Sequence, residues 1–194
     1  MHKYSNWLPR GGELFRGSIP SSEHMVQLYE GDAALVDSLE AFVRGGLQAG
    51  EGVVVIATAD HHAWLEDRLL LQGLDLTPAR EQDRYIPIDA TATLGSLLRN
   101  GWPHEERFVA FVDDLVARAG ARGRPVRVFG EYVALMWARG RQNEALRLEQ
   151  IWHKLCAQHG FPLFCAYPLS VLAKGKRALT STDAVCAAHT TVIS

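Results

Sequence analysis

Five consecutive apolar residues, Val53-Val54-Val55-Ile56-Ala57, stand between Gly50-Glu51-Gly52 and Thr58-Ala59-Asp60. A strand with one wet face alternates apolar and polar residues, whereas a run with no polar position buries both faces. The run therefore reads as an inner strand of a parallel sheet, and such a sheet needs helices on both sides.

The rest of the chain supplies them. His24 to Tyr29 reads as a first strand, and Glu30-Gly31-Asp32 as a short turn with Asp32 as helix N-cap. Leu35, Val36, Leu39, Phe42, Val43 and Leu47 then recur at helical spacing. After the Val53 strand, a helix from about His61 to Gln72 offers Trp64, Leu65, Leu69 and Leu71 to the core, and Gly73 closes it. Tyr85-Ile86-Pro87-Ile88 is a third strand, and its proline points to an edge, a bulge or a strand start. Thr91 to Leu98 reads as a short helical stretch, and Glu105 to Ala119 as a longer helix. The strand-like run Pro125 to Phe129 leads into Gly130-Glu131, followed by a helix carrying Val133, Leu135, Met136 and Trp137. A helix over about Gln142 to Gln158 and a last core strand, Pro162 to Tyr167, ending at Pro168, complete the pattern. A final helical turn is expected near Ala184 to Thr190. This order gives an α/β fold: three layers, with a mostly parallel central sheet between helices.

Residues 1–22 show no clear helical or strand period and read as an N-terminal arm, with Trp7 and Phe15 able to dock on the core or on a partner; residues 23–194 form one domain. A 47% apolar and 22% charged composition suits a globular chain, and a net charge of -2 gives no reason to expect direct nucleic-acid contact or an acidic membrane surface. Three cysteines, Cys156, Cys165 and Cys186, are too few for a disulfide scaffold. With no apolar run near bilayer length and no signal peptide, the expectation is a cytoplasmic chain without a membrane partner.

If the strands are parallel, their carboxyl ends share one edge, where ligands bind in open α/β sheets. Tyr29 and Glu30 end the first strand, Asp60 and His61 follow the second, Asp89 ends the third, Glu131 the fourth and Tyr167 the fifth. For Asp32 and Asp60 helix capping is the preferred reading. For Glu30 and Glu131, capping and a ligand pocket both stay open. Glu149 and Trp152 share a helical face, Trp152 filling the core or walling a ligand site. A triphosphate cradle would need a glycine-rich loop with a lysine and Ser/Thr. The turn Glu30-Gly31-Asp32 has no lysine and two carboxylates. No nucleophile signature is visible either. The expectation is a protein that is not an enzyme and carries no cofactor. Metal ligation is likewise not expected: Cys186 and His189 are the one closely spaced donor pair, weak candidates better read as a buried thiol and a hydrogen-bonded imidazole.

Several segments together resemble one family. His24-Met25-Val26-Gln27-Leu28-Tyr29-Glu30-Gly31-Asp32 is similar to the opening motif of the MEDS family, the methanogen/methylotroph DcmR-type sensory domains. Phe129 to Trp137 resembles its central motif, Arg147 to Trp152 and Phe164 to Pro168 two more, and Cys186-Ala187-Ala188-His189 its closing pattern. The resemblance implies a RecA/KaiC-like sheet and a sensory role beside DNA-binding or histidine-kinase modules. Residues 1–22 are too few for a helix-turn-helix, so output is expected to pass through a partner. The reading is a stand-alone sensory domain that binds a small-molecule ligand or a signalling protein, such as a histidine kinase or regulator, with homo-oligomerisation left open. Its candidate binding residues are His24, Tyr29, Glu30, His61, Glu131, Glu149, Trp152 and Tyr167. The alternatives are a degenerate RecA-like structural or oligomerisation module, and thirdly a nucleotide-binding enzyme.

Overall fold

In the computed structural model, the described residues are Phe15, 19–172, 183 and 185–193. Six strands form one sheet in the order β3-β2-β6-β7-β1-β8, and every pairing in it is parallel. The strands are β1 (His24–Tyr29), β2 (Gly52–Ala57), β3 (Tyr85–Asp89), β6 (Val126–Gly130), β7 (Leu163–Pro168) and β8 (Thr191–Ile193). A separate antiparallel pair joins β4 (Leu98–Arg99) to β5 (Trp102–Pro103).

The apolar run in β2 divides as its period of two requires. Val53, Val55 and Ala57 enter one core, and Val54 and Ile56 the other. Against the first face pack α1 (Asp32–Gln48) and α2 (Ala59–Leu71), through Leu35, Leu39, Phe42, Leu65 and Leu69. The second face is covered by α4 (Ala90–Leu94), α5 (Glu105–Ala119), α6 (Tyr132–Ala138) and α7 (Gln142–His159), through Leu94, Phe108, Val112, Met136, Leu148 and Trp152. The short α3 (Thr77–Glu81) precedes β3, and α8 (Leu169–Leu172) follows β7. Pro87 lies on β3, which among the described residues pairs only with β2, so its missing N–H faces no ladder partner.

Several details depart from expectation. The sheet gains a sixth strand, β8, which pairs with β1 beyond the helical turn at residues 185–187. Leu98 belongs to β4 rather than to the helical stretch, which ends in a 3-10 turn at Leu97. Gly31, not Asp32, is the N-cap of α1, and Asp32 opens the helix. Trp64 and Leu71 are largely exposed, while Leu65 and Leu69 carry the buried face of α2. Leu65 and Leu69 lie four residues apart over the sheet, whereas Trp64 and Leu71 fall on the adjacent stripe facing outward.

Phe15 is fully buried, with its ring edge-on to Phe42 (centroids 5.1 Å apart) and tilted on Phe164 (4.8 Å). Trp7 lies outside the described residues. Arg127 is an unlikely tenant of a central strand, yet it is fully buried beneath α1. Its guanidinium donates to Glu51 Oε2 (2.5 Å) and to the Phe42 carbonyl (3.0 Å) and lies over the Phe42 ring. A buried cation is tolerated only when paired in this way.

Candidate functional site

The connections leaving β2 and β6 part in opposite directions. From β2 the chain passes through α2 to β3 at one edge, and from β6 through α6 and α7 to β7 on the other side. The two strands are neighbours, with Ile56 paired to Gly130. Between them lies a topological switch point, the crevice where open α/β sheets bind ligands.

Glu131 occupies that crevice. It follows the last residue of β6, and its N–H donates to the Ile56 carbonyl (3.0 Å), which fixes its backbone against β2. Its carboxylate reaches across to the start of α2. Oε2 accepts from the Thr58 N–H (2.9 Å), and His61 Nδ1 lies 2.8 Å from Oε1 and 3.0 Å from Oε2. His61 Nε2 faces Asp32 Oδ1 at 3.7 Å, linking the end of β1 to the end of β6. Burial pushes the His61 imidazole down, but the hydrogen bond and charge of Glu131, with Asp32, outweigh it and raise its pKa. The nearby Tyr29 hydroxyl is raised as well, by burial and by the charges of Glu131 and Asp32, so it stays protonated. Three strand ends thus contribute to one acid–imidazole–acid chain. Its buried end is held by a backbone N–H, and its outer end, Asp32, is open to solvent.

The remaining candidates lie elsewhere. Glu30 and Asp60 are exposed, and the N-cap of α2 is Thr58, whose hydroxyl accepts from the His61 N–H. Asp89 caps α4 through Thr91 and Ala92. Tyr167 also ends a strand, but it sits one position out of phase with Tyr29. Leu28 pairs with Tyr167 in register, and both turn toward α7. Residues 29 and 167 therefore lie on opposite faces, and the strand-end residues do not make one pocket. Trp152 is fully buried, edge-on to Phe108 (4.8 Å) and close above Gly130, where a Cβ would come within 3.3 Å of its ring.

Beneath α7 is a second polar cluster. Glu149 points from the helix to the sheet, where Tyr167 Oη donates to Oε1 at 2.5 Å. His24 Nε2 lies 3.3 Å from Glu149 Oε2 and 3.5 Å from Cys165 Sγ, and His189 Nε2 lies 3.5 Å from Glu149 Oε1. His189 thus joins residues from β1, β7 and α7 rather than Cys186, which is half-buried and has its thiol raised by burial and Asp183. From sequence, core is the preferred reading of Cys165. Its proximity to His24 follows from the β1–β7 register, in which Val26 pairs with Cys165 and both face α7.

The parallel sheet, its switch-point acid and a β1–α1 turn of only Glu30 and Gly31 define an α/β domain of RecA-like architecture without a phosphate loop. Solved structures agree on the fold. The chain is similar to a protein from Pyrococcus horikoshii OT3 studied structurally as PH0250, with a TM-score of 0.62 and 14% identity over 93% of this chain and 85% of that one. It is also similar to the KaiC-like protein PH0186 from the same hyperthermophilic archaeon, with a TM-score of 0.55 and 15% identity over 83% of this chain and 69% of that one. The chain belongs to the MEDS family, described as the methanogen/methylotroph, DcmR sensory domain, whose pattern matches residues 23–187. Membership supports a sensory or signalling role. No curated protein matches the sequence. Among the described residues, no helix is long and apolar enough to cross a membrane.

Proposed function

We propose that this chain is a ligand-responsive sensory domain. A small ligand with apolar surface settles between α1 and α2, the Glu131–His61–Asp32 chain beneath it shifts, and a partner protein reads the change without covalent chemistry. The observation that carries this reading is the contact between the switch-point cluster and an open groove. Asp32 belongs to both, and the Trp64 ring lies 5.6 Å from the His61 ring. The groove measures about 570 Å³ and is lined by Ala33, Val36, Trp64 and Leu71 together with the charged Asp32, Asp67 and Arg68. That size and lining suit a small molecule held by apolar contact and oriented by one or two charges.

The reading is non-catalytic because both His61 nitrogens face carboxylates, Nδ1 Glu131 and Nε2 Asp32, and not a nucleophile, and the β1–α1 turn offers no lysine and no run of glycines to a phosphate. A partner such as a histidine kinase or a regulator fits the family's sensory role.

Thermal-shift screening of the full chain against small metabolites, nucleotides and MgATP tests the proposal. The expected result is stabilisation by an apolar metabolite, reduced in Trp64→Ala. A large shift with MgATP that Glu131→Gln abolishes would replace it with a nucleotide-binding reading. The exposed side chains of Trp64, Leu70 and Leu71 keep a second reading in play, an oligomerisation module. It gains if no metabolite shifts the melt and Leu71→Asp dissociates an oligomer.

A further inference from the structure

His24, Glu149, Cys165 and His189 each direct a donor atom into one small volume, all four atoms within 4.8 Å of one another. We propose that these four side chains form a closed, four-coordinate site for a divalent zinc-type metal ion, tying the C-terminal strand to the sheet.

The spacing fits. In a tetrahedral site with zinc bonds of about 2.0–2.3 Å, neighbouring donors stand roughly 3.3–3.8 Å apart. Two contacts match that edge, His24 Nε2 to Glu149 Oε2 at 3.3 Å and His24 Nε2 to Cys165 Sγ at 3.5 Å; His189 Nε2 approaches the other carboxylate oxygen, Oε1, at 3.5 Å, and the four donors together lie within 4.8 Å of one another. The side chains of His24, Glu149 and His189 are 0–1% exposed, and Cys165 is fully buried. Among the described residues, Glu149 Oε2 and His189 Nε2 make no well-aligned hydrogen bond although both are buried; their nearest polar neighbours are other members of the cluster, His24 Nε2 at 3.3 Å and Glu149 Oε1 at 3.5 Å. Leaving such atoms unpaired is costly, and a shared cation removes the penalty for both.

The outer contacts of His189 and Glu149 have the form that metal ligands need, whereas His24 Nδ1 has no partner among the described residues. His189 Nδ1 lies 2.7 Å from the Val185 carbonyl, so Nδ1 carries the proton and Nε2 presents its lone pair to the cluster. Burial also pushes the His189 imidazole down, favouring the neutral ring that binds metal. The Tyr167 hydroxyl, held protonated by burial and by Glu149, donates to the carboxylate and orients it. Two nitrogens, one carboxylate and one thiol suit zinc rather than calcium or magnesium, which take oxygen. A cavity of about 400 Å³, lined by Glu149, Gln150, His153, Lys154, Ala187 and Ala188, gives an entry path.

The site lies on the sheet face opposite α1 and α2 and does not depend on the sensory reading. The test uses the full chain, stripped with a strong chelator and titrated with Zn²⁺ against a chromophoric competitor, then with Co²⁺. The expected result is one ion per chain and a tetrahedral cobalt spectrum with a thiolate charge-transfer band. Cys165→Ala should abolish that band, and Tyr167→Phe should weaken zinc about 10–100-fold by removing the outer hydrogen bond. Amide exchange at residues 191–193 should slow on zinc addition. Should a variant fail to fold, the wild-type cobalt spectrum decides alone. A chain that binds no zinc tightly, or an octahedral cobalt spectrum without the thiolate band, overturns the proposal.

Discussion

His61 Nδ1 sits 2.8 Å from Glu131 Oε1, so the residue that ends the central strand β6 is tied to the first turn of the helix that leaves β2. The pair closes the switch point from beneath, and its outer nitrogen faces Asp32 at the mouth of the groove.

The pair should make stability depend on pH. The folded imidazole has a raised pKa, so it binds a proton more tightly than the unfolded one, whose value is about 6.5. The stabilisation is therefore fully present below about pH 6.5 and is lost as pH rises through the folded value. Urea melts from about pH 5 to about pH 9 should show the wild type losing stability with rising pH relative to Glu131→Gln. Identical slopes would mean that the pair carries no such linkage.

Removing one partner leaves the other buried and unmet. Glu131→Gln keeps an acceptor for the Thr58 N–H but no charge for His61, and should lower stability by about 1–3 kcal/mol. His61→Ala leaves a buried carboxylate and should lower it by at least as much. The additive sum of the two should exceed the double variant's loss, which a double-mutant cycle measures.

Gly45 and Gly95 should respond oppositely to alanine. A Cβ at Gly45 would stand 2.2 Å from the Phe15 carbonyl oxygen, so Gly45→Ala must push the Phe15 segment off the core, at about 1–3 kcal/mol. A Cβ at Gly95 meets nothing within 4 Å, and its φ of -59° suits any residue. Gly95→Ala should be neutral or stabilise by up to about 1 kcal/mol. Chemical denaturation of both variants checks the pair.

The outward stripe of α2 should matter for binding and not for folding. Leu71 is 88% exposed, so Leu71→Gln should leave stability within about 0.5 kcal/mol. Trp64→Ala should cost a ligand seated in the groove about tenfold in affinity, the loss of one large apolar contact. Urea denaturation of Leu71→Gln checks the first number, and calorimetric titration of Trp64→Ala with a ligand from the thermal-shift screen checks the second.

Much of this architecture was legible in the sequence, for physical reasons. The unbroken Val53–Ala57 run can only be satisfied by two covered faces, and the alternation of Val53 and Val54 between cores is that requirement met. Pro87 narrowed its strand to an edge, a bulge or a strand start, and the first of these is what the sheet order shows. Glu131 was legible as a strand-end acid, because an apolar run followed at once by an acid and a helix fixes that position. What escaped was set by partners distant in the chain. Thr191–Ile193 is too short to show a period, and only pairing with β1 makes it a strand. Trp64 and Leu71 look like core because they are apolar and helical; their exposure depends on which stripe of α2 the sheet accepts. His24, Glu149, Cys165 and His189 have no diagnostic spacing, since three strands' worth of register and one helix bring them together.

The most direct test of the sensory reading is to locate a bound ligand by amide and methyl chemical-shift perturbation on the full chain. Perturbations should centre on Asp32, Val36, His61, Trp64 and Leu71, reach Thr58 and Glu131 at the switch point, and shrink in Trp64→Ala. Perturbations centred on the opposite face, around His153 and Lys154, or undiminished in Trp64→Ala, would contradict the account.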